Sequence, residues 1–225
     1  VPLLKSELKP IVEKYKGHLI ATTACIGGEL GTCLLKAVEY REQENSYELY
    51  QTLKQIDTFL TFCQDLFGED FYLEIAPSTA ADQKLVNHMI YKIGRSYGIK
   101  VEVATDSHYL TKEDRPIHKA YLNSKDGERE VDDFYATAYM MSEEELKDYL
   151  LKDFSNEEFE TMKNNSLEIA NKIEFYDLYR QQEIPLVDVK NYPISNEAEE
   201  YEYLNLLYKS EFEQDRYWVN TCVNF

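Results

Sequence analysis

FYLEIAPSTAADQKLVNHMIYKIGRSYGIKVEVATDSHYL, residues 71–110, is the stretch that decides the fold class. Phe71 to Ile75 reads as a strand, rich in aromatic and aliphatic side chains. Pro77 to Ala80 reads as a loop, with Ser78 or Thr79 able to cap the next helix. Ala81 to Tyr97 repeats apolar residues at helical spacing. That spacing turns Leu85, Met89 and Ile93 inward and makes Gly98 the stop. Val101 to Thr105 is then a second strand. Two strands joined through a helix of this length run parallel, because parallel neighbours need a crossover connection.

Working outward, the pattern continues upstream. His18 to Ala24 reads as a short buried strand, and Gly27-Gly28 as a turn. From Ser46 the apolar positions Leu49, Leu53, Ile56, Leu60, Cys63 and Phe67 share one helix face, with Ser46 as cap and Gly68 as terminator. Alternating strands and helices argue for an α/β fold with parallel strands, as an open sheet or a barrel.

Downstream of about Thr111 the pattern becomes helical. Thr111 with Asp114, Ser142 with Glu145 and Ser155 with Glu158 have capping-box spacing. The helix after Ser155 is expected to bury Phe159, Met162, Ile169 and Ile173. A loop with Pro185 and Pro193 comes next, and Glu197 to Phe225 reads as helical and Tyr-rich. The expected boundary lies near residue 125, dividing the chain into 1–125 and 126–225.

Composition narrows the function classes. The 42 acidic and 24 basic side chains give a formal charge of −18. Such a surface repels a phosphate backbone, since nucleic-acid affinity comes largely from Lys and Arg displacing counterions. No apolar run approaches the ~18 residues of a membrane span. Val1-Pro2-Leu3-Leu4-Lys5 lacks the regions of a signal peptide and reads as the interior of a longer protein. Cys25, Cys33, Cys63 and Cys222 have no CxxC spacing, which points to a reducing cytoplasm. Cys63 reads as a buried thiol on a helix face, as do Cys33 and Cys222.

The sharpest chemical feature is Asp106 and His108, directly after the strand that starts at Val101. In extended backbone, residues two apart point the same way. Active sites in parallel folds gather at the C-terminal ends of strands. Carboxylate and imidazole together suit Zn, Mn or Fe. The bland alternative has Asp106 capping a turn and His108 packing in the core. Cys25 also follows a strand and precedes the Gly-Gly turn. It is either a third donor or another buried thiol. His118 reads as a supporting or exposed residue, His88 as helix surface, and Glu74 as a strand carboxylate whose default partner is a salt bridge.

HLIATTACIGGEL resembles the segment of the PHP domain that carries an "SAC" string in the alpha subunit of bacterial DNA polymerase III. FYLEI with the following Gln83 and Asn87, VEVATDSHYLTKEDRPIH, AYMMSEEEL and NNSLEIANKIE resemble that family's next segments, in order. Together they cover about residues 10 to 175. The resemblance implies the C-terminal part of a distorted PHP-type (β/α) barrel over 1–125. A mostly helical segment leading toward the polymerase core would occupy 126–225. It implies Cys25, Asp106 and His108 as metal-site positions; Glu74 and His118 keep their own reading, as supporting residues of that site or as residues with no part in it. The whole protein would be a cytoplasmic DNA-directed DNA polymerase using a divalent metal (Zn, Mn or Mg), with the PHP region acting as a scaffold or as a metal-dependent phosphoesterase or proofreading site. It would meet DNA, dNTPs and other replisome proteins through regions outside this chain. The family's HxH pair and its palm aspartates are absent from this sequence. Alone, the chain is therefore expected to bind metal weakly or not at all, to bind duplex DNA poorly and to extend no primer. The competing readings are a free-standing PHP-type phosphoesterase and a non-catalytic acidic interaction module.

Overall fold

The computed structural model describes residues 4–126, 133–177 and 179. Val1–Glu174 falls into one compact unit and Phe175–Phe225 into a second. The loop with Pro185 and Pro193, the helix expected over 197–225 and Cys222 lie outside the described residues.

In chain order the elements are α1 (Lys5–Lys14), β1 (Ala21–Thr22), α2 (Glu29–Glu42), α3 (Ser46–Phe67), β2 (Phe71–Ile75), α4 (Ala81–Tyr97), β3 (Lys100–Val103), α5 (Arg115–Asp126), α6 (Glu143–Leu150) and α7 (Asn156–Lys172). The sheet has the order β1-β2-β3 and is parallel throughout, with Leu73 opposite Val101 and Glu74 opposite Glu102. The α/β reading of the sequence thus holds for these strands. Among the described residues no helix is long and apolar enough to cross a membrane.

Phe71, Leu73, Ile75 and Val101 project from one sheet face into a core shared with Leu30 and Leu34 of α2, Ile56 and Leu60 of α3, and Val86 and Ile90 of α4. Cys33 and Cys63 sit in the same core, and burial pushes both thiols up, Cys63 to about 11. Their reading as inert buried thiols agrees with this surrounding. Helix α2 packs along α3.

The helix faces differ in detail from the apolar pattern. On α4 the buried residues are Gln83, Val86, Asn87, Ile90 and Gly94, one step on from the expected stripe, and Leu85 is 40% exposed. Two features of α4 explain the shift. Gly94 faces the sheet so tightly that a Cβ there would lie 2.4 Å from Val101 Cγ2. The buried amides are fully employed: Asn87 Nδ2 donates to the Ala76 carbonyl (2.7 Å) and Gln83 Nε2 to Asn87 Oδ1 (2.9 Å). On α3, Thr52 takes the buried place expected for Leu53, which is half exposed. Asn45, not Ser46, caps α3 by accepting from the Glu48 N–H. Gly98 ends α4 in the left-handed conformation at φ 67°.

The capping boxes at Thr111, Ser142 and Ser155 are all formed. On α7, Phe159 and Met162 are buried, but Ile173 is 60% exposed beyond the helix end. Helix α7 lies against β3 and seals its outer edge. Asn165 Nδ2 donates to the Val101 carbonyl (2.7 Å), and the Val103 N–H donates to Ser166 Oγ (3.0 Å).

Candidate functional site

The C-terminal ends of the three strands meet at a small cleft lined by Cys25, Ala76, Pro77, Ser78, Gln83, Thr105, Asp106, Thr137 and Ala138. Its volume of about 20 Å³ has room for one water-sized group. The Gln83–Asn87 amide pair fixes one wall, because Asn87 holds both the N–H and the carbonyl of Ala76.

Two residues without glycine's freedom take left-handed backbone here: Ala24, just before Cys25, at φ 60°, and Asp106 at φ 46°. Such conformations cost of order 1–3 kcal/mol and concentrate at functional sites. The Cys25 turn closes through the Gly28 N–H, which donates to the Cys25 carbonyl (2.8 Å). A Cβ on Gly28 would stand 2.7 Å from the Thr23 carbonyl oxygen, so the turn needs glycine there.

Cys25 and Asp106 therefore line one cleft. His108 stands beside Asp106 but is not among the residues lining this cleft. Its Nδ1 lies 2.6 Å from the backbone carbonyl of Asp106 and 3.9 Å from the Asp106 carboxylate. The His108 N–H donates to the Ala138 carbonyl (2.8 Å), tying this loop to the strand-like bridge between Tyr109 and Tyr139. The His108 ring packs against His118 (centroids 5.5 Å apart) and Tyr135 (5.2 Å). His118 is buried, and its Nδ1 has no hydrogen-bond partner among the described residues. Burial, and then the neighbouring His108, pull the His118 imidazole below its ordinary value.

The donor set does not fit a closed metal site. Among the described residues no three His, Cys, Asp or Glu side chains are gathered to hold an ion. A zinc centre is built from three or four fixed protein ligands. Cys25 and Asp106 supply two on the cleft, and His108 faces an aromatic neighbourhood instead.

Glu74 departs from the salt bridge expected of it. Its Oε2 accepts from the Thr22 hydroxyl (2.9 Å), and its register partner is another acid, Glu102. Burial raises the Glu74 carboxyl, and Asp106 adds to the rise. Glu102 escapes a sequence reading because VEV looks like an ordinary strand. Only the parallel register, which sets Glu opposite Glu, reveals the pair. His88 behaves as helix surface, 3.7 Å from Asp153 and with its ring tilted against Phe154.

No family model matches the chain. Over 225 aligned residues, 96% of the chain, it is 36% identical to a probable DNA polymerase, YorL, of Bacillus subtilis (strain 168). A DNA-directed DNA polymerase of Bacillus phage SPbeta matches to the same degree. The DNA polymerase III subunit alpha of Aquifex aeolicus (strain VF5) is 27% identical over 168 residues, 72% of the chain and 13% of that protein. The chain spans 17% of the length of the two Bacillus relatives. Relatives bearing the name DNA polymerase III subunit alpha thus match the chain, as its motifs imply.

Proposed function

We propose that this chain is a segment of a replicative DNA polymerase of the DNA polymerase III alpha-subunit family, and that it serves that enzyme as a scaffold. The observation that carries the reading is the 36% identity to polymerases along 96% of the chain. In this reading residues 1–125 are the C-terminal part of a PHP-type barrel. Residues 126–225 lead toward the polymerase core, and α7 in this part packs back on β3. Cys25, Asp106 and His108 are metal-site positions of the whole protein, supported by Glu74 and His118. Within this chain they do not close around an ion, so no reaction step is assigned to them. Polymerisation, the divalent metal, DNA, dNTPs and replisome partners belong to the whole protein, acting in the cytoplasm.

The scaffold role is tested in the full-length protein. Primer extension should survive Cys25→Ser and Asp106→Ala within about twofold, while the isolated 225-residue chain extends no primer. A full-length protein that hydrolyses a simple phosphate ester in an Asp106-dependent way, yet extends no primer, would instead support the phosphoesterase reading. Sub-micromolar duplex binding by the chain alone would contradict the assignment of DNA contacts to other regions.

A further inference from the structure

The polar face of the sheet carries two acids without a cation between them. Glu74 and Glu102 are register partners on adjacent parallel strands, so their side chains leave the same face side by side. Glu102 is 5% exposed. Among the described residues neither carboxylate takes part in an ion pair. Lys100 and Lys172 lie on the same face, but both are engaged by Glu168, at 2.6 and 3.1 Å. Glu74 has the Thr22 hydroxyl, and Glu102 has only the Ser166 hydroxyl of α7, at 3.2 Å.

Ser166 is itself oversubscribed. It accepts from the Val103 N–H, and its single hydrogen has three acceptors in reach: the Val103 carbonyl (3.0 Å), Glu102 Oε2 (3.2 Å) and the Met162 carbonyl (3.3 Å). A hydroxyl serves one acceptor at a time. An ionised Glu102 is therefore left without a donor whenever Ser166 turns to a carbonyl. A neutral Glu102 has its own hydrogen to give to Ser166 Oγ, which leaves the Ser166 hydrogen for a carbonyl.

We propose that Glu102 is the protonation switch of a latch that seats α7 on β3. With Glu102 neutral, Ser166 and Asn165 hold the helix against the strand edge. With Glu102 ionised beside Glu74, the seat loosens. The groups facing Glu102 are Glu74 from β2 and Ser166 from α7. Thr22 of β1 faces Glu74, and Asp106 acts on Glu74 in turn. The Tyr72, Lys100, Glu168 and Lys172 cluster on the same face is satisfied internally. Burial, and then Glu74, push the Glu102 carboxyl up to about 7, against a smaller opposing pull from Ser166. The switch thus works near neutrality. A carboxyl raised in the folded state stabilises below its unfolded value, here 4.5, and that contribution is lost as pH rises through 7. The latch does not depend on the polymerase reading.

The test is amide hydrogen exchange on the 225-residue chain, as protection factors corrected for intrinsic rates. Protection of α7 amides should fall by about tenfold or more between about pH 5 and pH 8, one pKa unit being one decade. Amides of α3, far from the pair in sequence, should change less. Glu102→Gln, which keeps the shape and a donor, should flatten the α7 profile. Glu74→Gln should move the fall to lower pH, since it removes the neighbouring charge that helps raise Glu102 yet leaves Glu102 buried. A wild-type α7 profile that is flat with pH, or one unchanged by both substitutions, would overturn the latch.

Discussion

On one side of β2, Phe71, Leu73 and Ile75 are 3%, 0% and 0% exposed; on the other, Tyr72 is likewise 0% exposed. The first side meets apolar residues of α2, α3 and α4. On the second, the Tyr72 hydroxyl donates to Glu168 (2.8 Å) and accepts from Lys172 (2.7 Å), with Glu74 and Glu102 further along. Equal burial is therefore reached by different means. The apolar side is held by area removed from water, a non-directional term indifferent to protons. The polar side is held by directional pairs that must each be satisfied. Depth of burial alone thus says nothing about how a face answers to pH or salt.

Substitutions on the two faces sharpen the contrast. Leu73→Ala should cost the most, about 3–5 kcal/mol in urea unfolding at any pH, because the site is enclosed on all sides. Gly94→Ala should come next, at about 2–3 kcal/mol. Its new Cβ would stand 2.4 Å from Val101 Cγ2 and 2.9 Å from the Ile99 carbonyl oxygen. A loss near zero there would mean that α4 and β3 can separate more readily than their contact suggests.

The polar face should give smaller, pH-dependent effects of opposite sign. Glu102→Gln should stabilise by about 1–2 kcal/mol at about pH 8 and by nearly nothing at about pH 4, measured as the difference in unfolding free energy. Glu168→Ala should cost least, about 0.5 kcal/mol, since its ion pairs with Lys100 and Lys172 are partly exposed and screened. Lys100, Tyr72 and Lys172 hold the Glu168 carboxyl down to about 2. Its contribution is therefore present above 4.5 and lost as pH falls through 2, the reverse of Glu102. Equal pH slopes in wild type, Glu102→Gln and Leu73→Ala would erase the distinction between the faces.

Much of this layout is legible in the sequence. The strand-helix-strand reading of residues 71–105, the bounds of α4 and the three capping boxes follow from local chemistry, and the structure has them. Helix α2 is not legible in the same way: it comes directly after a Gly-Gly turn, and its buried face includes Gly31, which apolar periodicity skips. The one-step shift of the α4 stripe has the same origin, since Gly94, Asn87 and Gln83 are buried through fit and hydrogen bonding. Asp106 and Cys25 stand out as strand-end residues, and both line the cleft. The turn of His108 toward His118 is beyond reach, because the left-handed Asp106 breaks the alternation that the DxH reading assumes.

The seal that Asn165 and Ser166 make on β3 has a consequence for colloidal behaviour. Bare strand edges recruit other chains into growing sheets, and proteins commonly blunt them with charge, proline or a covering element. Here Val101 and Val103 give their outward backbone groups to a helix, so that margin offers no template for a foreign strand. The opposite margin of the three-stranded sheet is β1, two residues long, too short to guide one. A sheet rich in Val, Ile and Phe thus presents neither side as a nucleus for amyloid-type growth, and loosening α7 would remove that protection from one of them.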